Sequence, residues 1–210
     1  MKFSDLLEIV GDEPIFETGF ILAGNNSPQN LQRQLSLWVT SGKLYQLRRG
    51  VYSLAPPFQQ INPHPFQVAN TMVRGSYVSL QSALAYYSLI PEYVPTTTSV
   101  TTGRTNHWDT PIGTFAFRHI TRDLFTGYQQ VELVPKQHAF LALPEKALLD
   151  LVHLTPGGDA PTFLAELRLQ NLEQINLDAL HQLATRPKLQ RASDWIINEV
   201  DREREVYENL

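Results

Sequence analysis

A helix pattern followed at once by two short strands constrains this fold more than any other part of the sequence. Residues 28–41 place three apolar side chains at the i, i+4, i+7 spacing of a helix with one buried stripe: Leu31, Leu35 and Trp38. Ser27 suits the N-cap, Pro28 suits the first helical position, and Gly42 is the expected stop. The segment therefore predicts an amphipathic helix.

The segment after this helix predicts a β-hairpin. Residues 43–47 and 51–54 alternate in the manner of half-buried strands, and Arg48, Arg49 and Gly50 separate them. Glycine accepts the positive φ that tight hairpins require. The alternation divides the side chains between two faces: Tyr45 and Leu47 on one, Tyr52 and Leu54 on the other.

The order of elements predicts two domains. Residues 3–10 and 19–23 read as short helices, so residues 1–55 have the order of a winged helix-turn-helix. Residues 56–65 are proline-rich and read as a linker. Residues 66–210 mix strands and helices and become mainly helical toward their end. The predicted class is α+β, with a DNA-binding domain followed by a mixed α/β domain.

Charge is segregated along the chain. The net charge is −4, yet residues 18–91 contain no aspartate or glutamate. The cations of that stretch are Arg33, Lys43, Arg48, Arg49 and Arg74. From residue 159 onward, the sequence contains ten acidic and six basic residues. Such segregation favours a positive surface that attracts a polyanion, although a charge run is often only a solvated face.

The predicted helix over residues 28–41 carries a polar, acid-free face opposite its apolar stripe. That face consists of Gln29, Asn30, Gln32, Arg33, Ser36 and Thr40. Glutamine and asparagine pair with adenine edges, and arginine pairs with guanine edges. An ordinary solvated helix more often mixes glutamate with lysine. We therefore expect this helix to read double-stranded DNA in the major groove, the alternative being an inert glutamine-rich surface.

The hairpin supplies the cations beside that helix. Arg48 and Arg49 at the turn, with Lys43 at its base, are expected to contact the phosphate backbone or the minor groove. Edge hairpins also carry charge simply to avoid aggregation, so Arg-Arg at a turn is not specific by itself. The combination of helix, acid-free face and basic turn is what favours DNA binding.

The rest of the sequence favours no catalytic or cofactor site. Six histidines are scattered without metal-ligand spacing, and no nucleophile elbow, phosphate loop or dinucleotide fingerprint occurs. Glu145, Lys146 and Asp150 are predicted to form a solvated helix face. There is no cysteine, no membrane span and no signal peptide. We expect a cytoplasmic protein with no catalytic residue, metal or cofactor.

Five segments together resemble a known family. They read LYQLRRGVYSLA, SYVSLQSALAYYSLIPE, VTTGRT, TPIGTFAFRHI and LPEKALLDLVHL, in that order along the chain. They resemble the AbiEi family, whose members are antitoxins and transcriptional regulators of abortive-infection type IV toxin–antitoxin systems. The resemblance covers about residues 3–154, and the middle segments are more specific than the first.

The resemblance implies a repressor that binds the promoter of its own operon. The operator within that promoter could be an inverted repeat. It implies a functional partner that is a nucleotidyltransferase toxin, countered without a stable complex. Arg104 and Arg118 fall on the matching segments and are candidates for a second nucleic-acid or partner contact. The alternative is a solitary winged-helix regulator whose C-terminal domain senses a ligand or a protein.

Overall fold

The computed structural model describes residues 1–22 and 28–208, and the side chains among them as far as residue 202. Ser27, the predicted helix cap, lies outside these residues. The described chain is a mixed α+β protein with two β-sheets and helices packed around them. The predicted α+β class is confirmed at this level.

The first sheet is small and antiparallel. The elements of this part are α1 (Phe3–Val10), β1 (Phe16–Glu17), α2 (Thr18–Leu22), α3 (Pro28–Thr40), β2 (Leu44–Arg48) and β3 (Val51–Leu54). The strand order is β1-β3-β2. The predicted helices and hairpin are therefore present among the described residues, but β2 extends through Arg48. The hairpin turn is consequently shorter than the sequence predicted.

Both faces of the small sheet are buried. Tyr52 and Leu54 pack with the helices of the first part, together with Phe16 of β1. Leu47 and Val51 point away from those helices and belong to the larger core of the following elements. A bulge lies between Gln46 and Arg48 in β2. The predicted division of the hairpin between two faces is confirmed, and each face packs against one of the two cores, with Gln46 of β2 left exposed.

Residues 56–65 run between the two cores and are attached to both. The Phe58 ring lies 4.9 Å from the Phe3 ring, centroid to centroid. Farther along, Gln137 accepts from the backbone N–H of His64 at 2.6 Å and donates to the carbonyl of Asn62 at 3.0 Å. The segment is thus held in place at both ends, while the domain boundary assigned to it stays a prediction.

The second part begins with α4 (Pro65–Met72), β4 (Ser76–Val78), α5 (Leu80–Tyr86), β5 (Thr96–Thr101), β6 (Asn106–Thr110) and β7 (Gly113–His119). It continues with β8 (Tyr128–Val134), β9 (Gln137–Ala142), α6 (Pro144–Leu154), α7 (Pro161–Glu166), α8 (Leu177–Leu183) and α9 (Pro187–Glu208). The sheet order is β6-β7-β5-β4-β9-β8. Strands β5 and β7 are parallel, as are β4 and β9, and the other neighbours are antiparallel.

Helix α6 is enclosed, and the predicted solvated face on it is wrong. Glu145, Lys146 and Asp150 are all buried. The helix contacts β9, α5, α8 and α9, and every residue from Glu145 to Val152 is buried. Glu145 accepts a hydrogen bond from the backbone N–H of Asn176 at 2.6 Å. Burial on every side overrides the polar character of these residues.

Asp150 is the centre of a buried hydrogen-bonded network that joins β4 to α6. Its carboxylate accepts from Lys146 at 2.5 Å, from the Tyr77 hydroxyl at 2.9 Å and from the Ser79 hydroxyl at 2.7 Å. Removal from water raises the pKa of the Asp150 carboxyl, and the Lys146 ammonium opposes that shift. Burial, with the nearby carboxylate, also raises the pKa of Tyr77. The charges are tolerated because each one has a partner.

We expect Asp150→Ala to lower the free energy of unfolding by about 3–5 kcal/mol, because it leaves a buried ammonium without its counter-charge. The matched control is Asp194→Ala on α9, where the carboxylate is exposed. That change should stay within about 0.5 kcal/mol. Urea unfolding monitored by circular dichroism measures both, and equal losses would contradict the role given to the network.

Candidate nucleic-acid interface

Helix α3 presents its polar face to solvent. Leu31 and Leu35 are 1% exposed and fix which side of the helix meets the core. The six residues predicted to read bases are all exposed: Gln29, Asn30, Gln32, Arg33, Ser36 and Thr40. The structure therefore brings them together on one accessible surface, with no acidic side chain among them.

Two hydroxyls on this face are already engaged. Ser36 donates to the carbonyl of Gln32, and Thr40 donates to the carbonyl of Ser36, each at 3.0 Å. Such bonds to the preceding turn are common for serine and threonine inside helices. Their protons point back to the helix, so these hydroxyls present lone pairs outward and act as acceptors. The donors of this face are therefore Arg33 and the side-chain amides.

Leu37 also belongs to this face, and the sequence prediction missed it. Its side chain is 59% exposed, and it follows Arg33 by one helical turn. An exposed leucine between polar neighbours is suited to contact the methyl group of thymine. The signal was present in the helical spacing, since Leu37 falls outside the stripe of Leu31 and Leu35.

Lys43 lies apart from the hairpin turn. Its ammonium sits 4.8 Å from the centroid of the Phe3 ring, and Phe3 in turn contacts Trp38 edge to face at 5.4 Å. The lysine is therefore held over α1 by a cation–π contact. Its ammonium therefore lies near Phe3 and Trp38, at the C-terminal end of α3, and not beside Arg48 and Arg49.

Arg48 and Arg49 differ in their surroundings. Arg48 ends β2, is half-buried, and its buried Nε makes no hydrogen bond. Arg49 is exposed in the turn, beside Gly50, whose φ is 82°. Thr18 donates its backbone N–H to the Gly50 carbonyl at 3.0 Å. The turn is thus tied to the start of α2, and Arg49 is the freely accessible member of the pair.

A bidentate ion pair connects the small sheet to the second part of the chain. Arg74 donates from Nε and Nη2 to the two carboxylate oxygens of Glu17, at 3.0 and 2.8 Å. Glu17 lies in β1, next to Thr18 and hence next to the hairpin turn. Most of the Arg74 side chain is exposed, so the pair is screened and is worth about 0–1 kcal/mol. It aligns the two parts more than it stabilises them.

Arg104 and Arg118 lie at the end of the large sheet that is nearest to Arg74. Thr101 accepts the N–H of Gly103 and donates to the carbonyl of Gly75. Both arginines are exposed. Arg118, however, donates from Nη2 to the carbonyl of Leu154 at 3.1 Å, at the C-terminal end of α6. Arg118 therefore has a structural contact, whereas the Arg104 side chain extends from the loop between β5 and β6.

One histidine of the large sheet lies beside a carboxylate. His107 Nε2 lies 3.4 Å from the Asp109 carboxylate, but both side chains are more than half exposed. Across residues 1–22 and 28–208, no group of three or more histidines or acids is arranged to hold a metal ion. Within the same residues, no helix has both the length and the apolar character that a membrane span needs.

Comparison with known proteins gives a likeness of fold to solved structures. The chain matches no family model, and it matches no curated protein. It resembles the crystal structure of the RV2827C protein from Mycobacterium tuberculosis, with a TM-score of 0.56 and 17% sequence identity. The likeness covers 92% of this chain and 75% of that chain. At this identity it shows a shared fold and nothing about activity.

We expect Gly50→Ala to lower the free energy of unfolding by about 1–2 kcal/mol, because a Cβ is strained at this positive φ. Space is not the cause, since the nearest atom to that Cβ is Thr18 Oγ1 at 3.7 Å. The control is Gly19→Ala in α2, where φ is not positive and the site is open. Thermal unfolding compares the two variants. A Gly50→Ala protein as stable as the Gly19→Ala protein would contradict the turn geometry.

Proposed function

We propose that residues 1–55 are a winged helix-turn-helix that binds double-stranded DNA in a sequence-specific manner. Helix α3 enters the major groove, and the β2–β3 hairpin is the wing that contacts the backbone or the minor groove. The observation that carries the proposal is the exposed, acid-free face of α3, with its amides, its guanidinium and Leu37. These are the groups that read base edges.

The distribution of charge supports the same surface. Arg33 and Arg49 are exposed and take part in no ion pair with a described acid. Several exposed arginines of the second part do pair with acids, as Arg168 does with Glu92 and Arg191 with Asp159, although Arg104 does not. An unpaired cation loses less interaction free energy when it binds phosphate, because it does not have to leave an acidic partner within the protein. Within the acid-free stretch, Arg33 and Arg49 thus keep their charge available, whereas Arg74 is paired with Glu17.

The role in the cell follows from the family resemblance. We propose a transcriptional repressor that controls its own operon and is the antitoxin of a type IV toxin–antitoxin system. Residues 66–210 would then counter a nucleotidyltransferase toxin without forming a stable complex. Arg104, exposed at the sheet end near Arg74, is the better candidate for a second contact, since Arg118 is engaged with α6. The proposal assigns the chain no catalytic step.

The second candidate is a solitary regulator with a sensing C-terminal domain. The attachment of the small sheet to the larger core supports it, because a change in that core would reach the wing through Leu47 and Val51. The two candidate functions predict different neighbouring genes and different regulated genes. A nucleotidyltransferase gene beside this one, whose toxicity is relieved by this protein, favours the antitoxin; a regulator of unrelated genes favours the alternative.

We expect the double change Arg48→Ala and Arg49→Ala to weaken binding to every DNA sequence. The log–log dependence of the binding constant on salt should become shallower by about one to two units, since one or two phosphate contacts are lost. Fluorescence anisotropy titrations at several salt concentrations measure the slope.

The control for the wing removes the same number of charges elsewhere. Arg168→Ala with Arg202→Ala takes two arginines from the C-terminal part, each already paired with an acid. That protein should keep the slope and affinity of the wild type. If the wing variant keeps them as well, the wing makes no phosphate contact.

We expect Arg33→Ala and Gln29→Ala to act differently from the wing variant. Each should relax base preference at particular operator positions, at a cost of about 1–3 kcal/mol for a bidentate contact. Titrating each variant against a set of single-base operator changes measures this. A uniform loss across the whole set would show that these side chains do not read bases.

A further inference from the structure

Among the described residues the large sheet ends in two strands, β6 and β8, and each is hydrogen-bonded to a single neighbouring strand. Its first strand, β6, lies against β2 of the small sheet. Its last strand, β8, pairs with β9 and with no other strand. An unpaired edge presents a row of backbone donors and acceptors that can pair with another strand. Strand β8 therefore offers a ready surface for one more strand.

The first part of the β8 edge carries few of the devices that proteins use to block such pairing, since its one charged residue is Glu132. From Tyr128 to Glu132 the strand is regular, and the register irregularity comes only after Glu132. This five-residue segment, Tyr-Gln-Gln-Val-Glu, contains no proline and no lysine. Gln129, Gln130 and Glu132 are exposed. Edge strands are ordinarily protected by lysine, proline or bulges, and here these features begin beyond the segment.

The sequence of the segment is complementary to itself. In an antiparallel pairing centred on Gln130, that residue faces the partner's Gln130. Gln129 then faces the partner's Val131, and Tyr128 faces the partner's Glu132. Amide faces amide and hydroxyl faces carboxylate, while no two like charges lie opposite one another. This register also leaves the irregular end of β8 outside the pairing.

We propose that two copies of this chain associate through β8, in antiparallel register about Gln130, to form one continuous sheet of twelve strands. The interface is isologous, because the same segment of each copy contacts itself across a two-fold axis. The proposal concerns the chain alone. It does not depend on the DNA-binding proposal, although a two-fold dimer would also present two α3 helices to an inverted repeat.

Disulfide trapping tests the register directly, since the chain has no cysteine and an introduced thiol is unique. Across the two-fold axis, the two residues at position 130 are about 4.5–5.5 Å apart between Cα atoms. Copies of residue 129 are roughly 8 Å apart, because they are offset along the strand. A disulfide needs less than about 7 Å. Gln130→Cys should therefore cross-link under mild oxidation several-fold faster than Gln129→Cys.

Gln129→Cys is a matched control, because it changes the same residue type at the adjacent exposed position. Circular dichroism on the reduced proteins establishes that both variants are folded. Two outcomes would overturn the register: equal cross-linking rates for Gln129→Cys and Gln130→Cys, or no cross-linking of either variant.

A charge reversal provides an independent measurement by sedimentation velocity. We expect the wild-type chain to show a concentration-dependent dimer and Gln130→Lys to sediment as a monomer, because two ammonium groups would face each other. An equimolar mixture of Gln130→Lys and Gln130→Glu should restore the dimer. A wild-type chain that stays monomeric, or a Gln130→Lys chain that still dimerises, overturns the proposal. Neither experiment contains DNA, so a failure here leaves the DNA-binding proposal untouched.

Discussion

The burial of the small sheet on both faces is the constraint on which the rest of the structure depends. Tyr52 and Leu54 close the core of the first three helices, while Leu47 and Val51 enter the core of the second part. Each buried apolar side chain of this size contributes about 1.5–3 kcal/mol. The hairpin thus belongs to two cores at once, and the turn that carries Arg49 is fixed relative to both.

This arrangement gives the candidate interface a rigid base. A hairpin attached to a helical unit alone would swing with it, whereas this one is also held by the large sheet and by the Glu17–Arg74 ion pair. The large sheet is in turn anchored to α6 through the carboxylate of Asp150. Helix and hairpin therefore keep one relative position, and a surface that is already ordered loses less entropy when it binds.

Periodicity predicted the elements that bury a clear stripe. Helix α3 and the two faces of the hairpin follow from the spacing of Leu31, Leu35 and the alternating residues of β2 and β3. Strand β6 was not predicted, because Asn106–Thr110 is a polar edge segment in which Trp108 is the one large apolar residue that packs on the core. Hydrophobic periodicity in the sequence can therefore identify a helix or strand only when one of its faces is buried and apolar.

The network of Asp150 and the contact of Lys43 were beyond sequence patterns for a different reason. Polar residues on a helix indicate solvent unless tertiary packing encloses them, and α6 is enclosed by elements far away in the chain. Lys43 does lie at the base of the hairpin, where its carbonyl accepts from the N–H of Ala55, but its ammonium lies over the Phe3 ring of α1. In both cases partners come from distant segments, Tyr77 and Ser79 for Asp150 and Phe3 for Lys43, and no local period reveals them.

The central claim is sequence-specific DNA binding, and footprinting tests it most directly. The full chain would be titrated at low salt against the DNA immediately upstream of its own gene, with unrelated DNA of equal length as competitor. The account predicts a protected segment that persists in the presence of competitor. The absence of binding at low salt, or equal affinity for both DNAs, would contradict it.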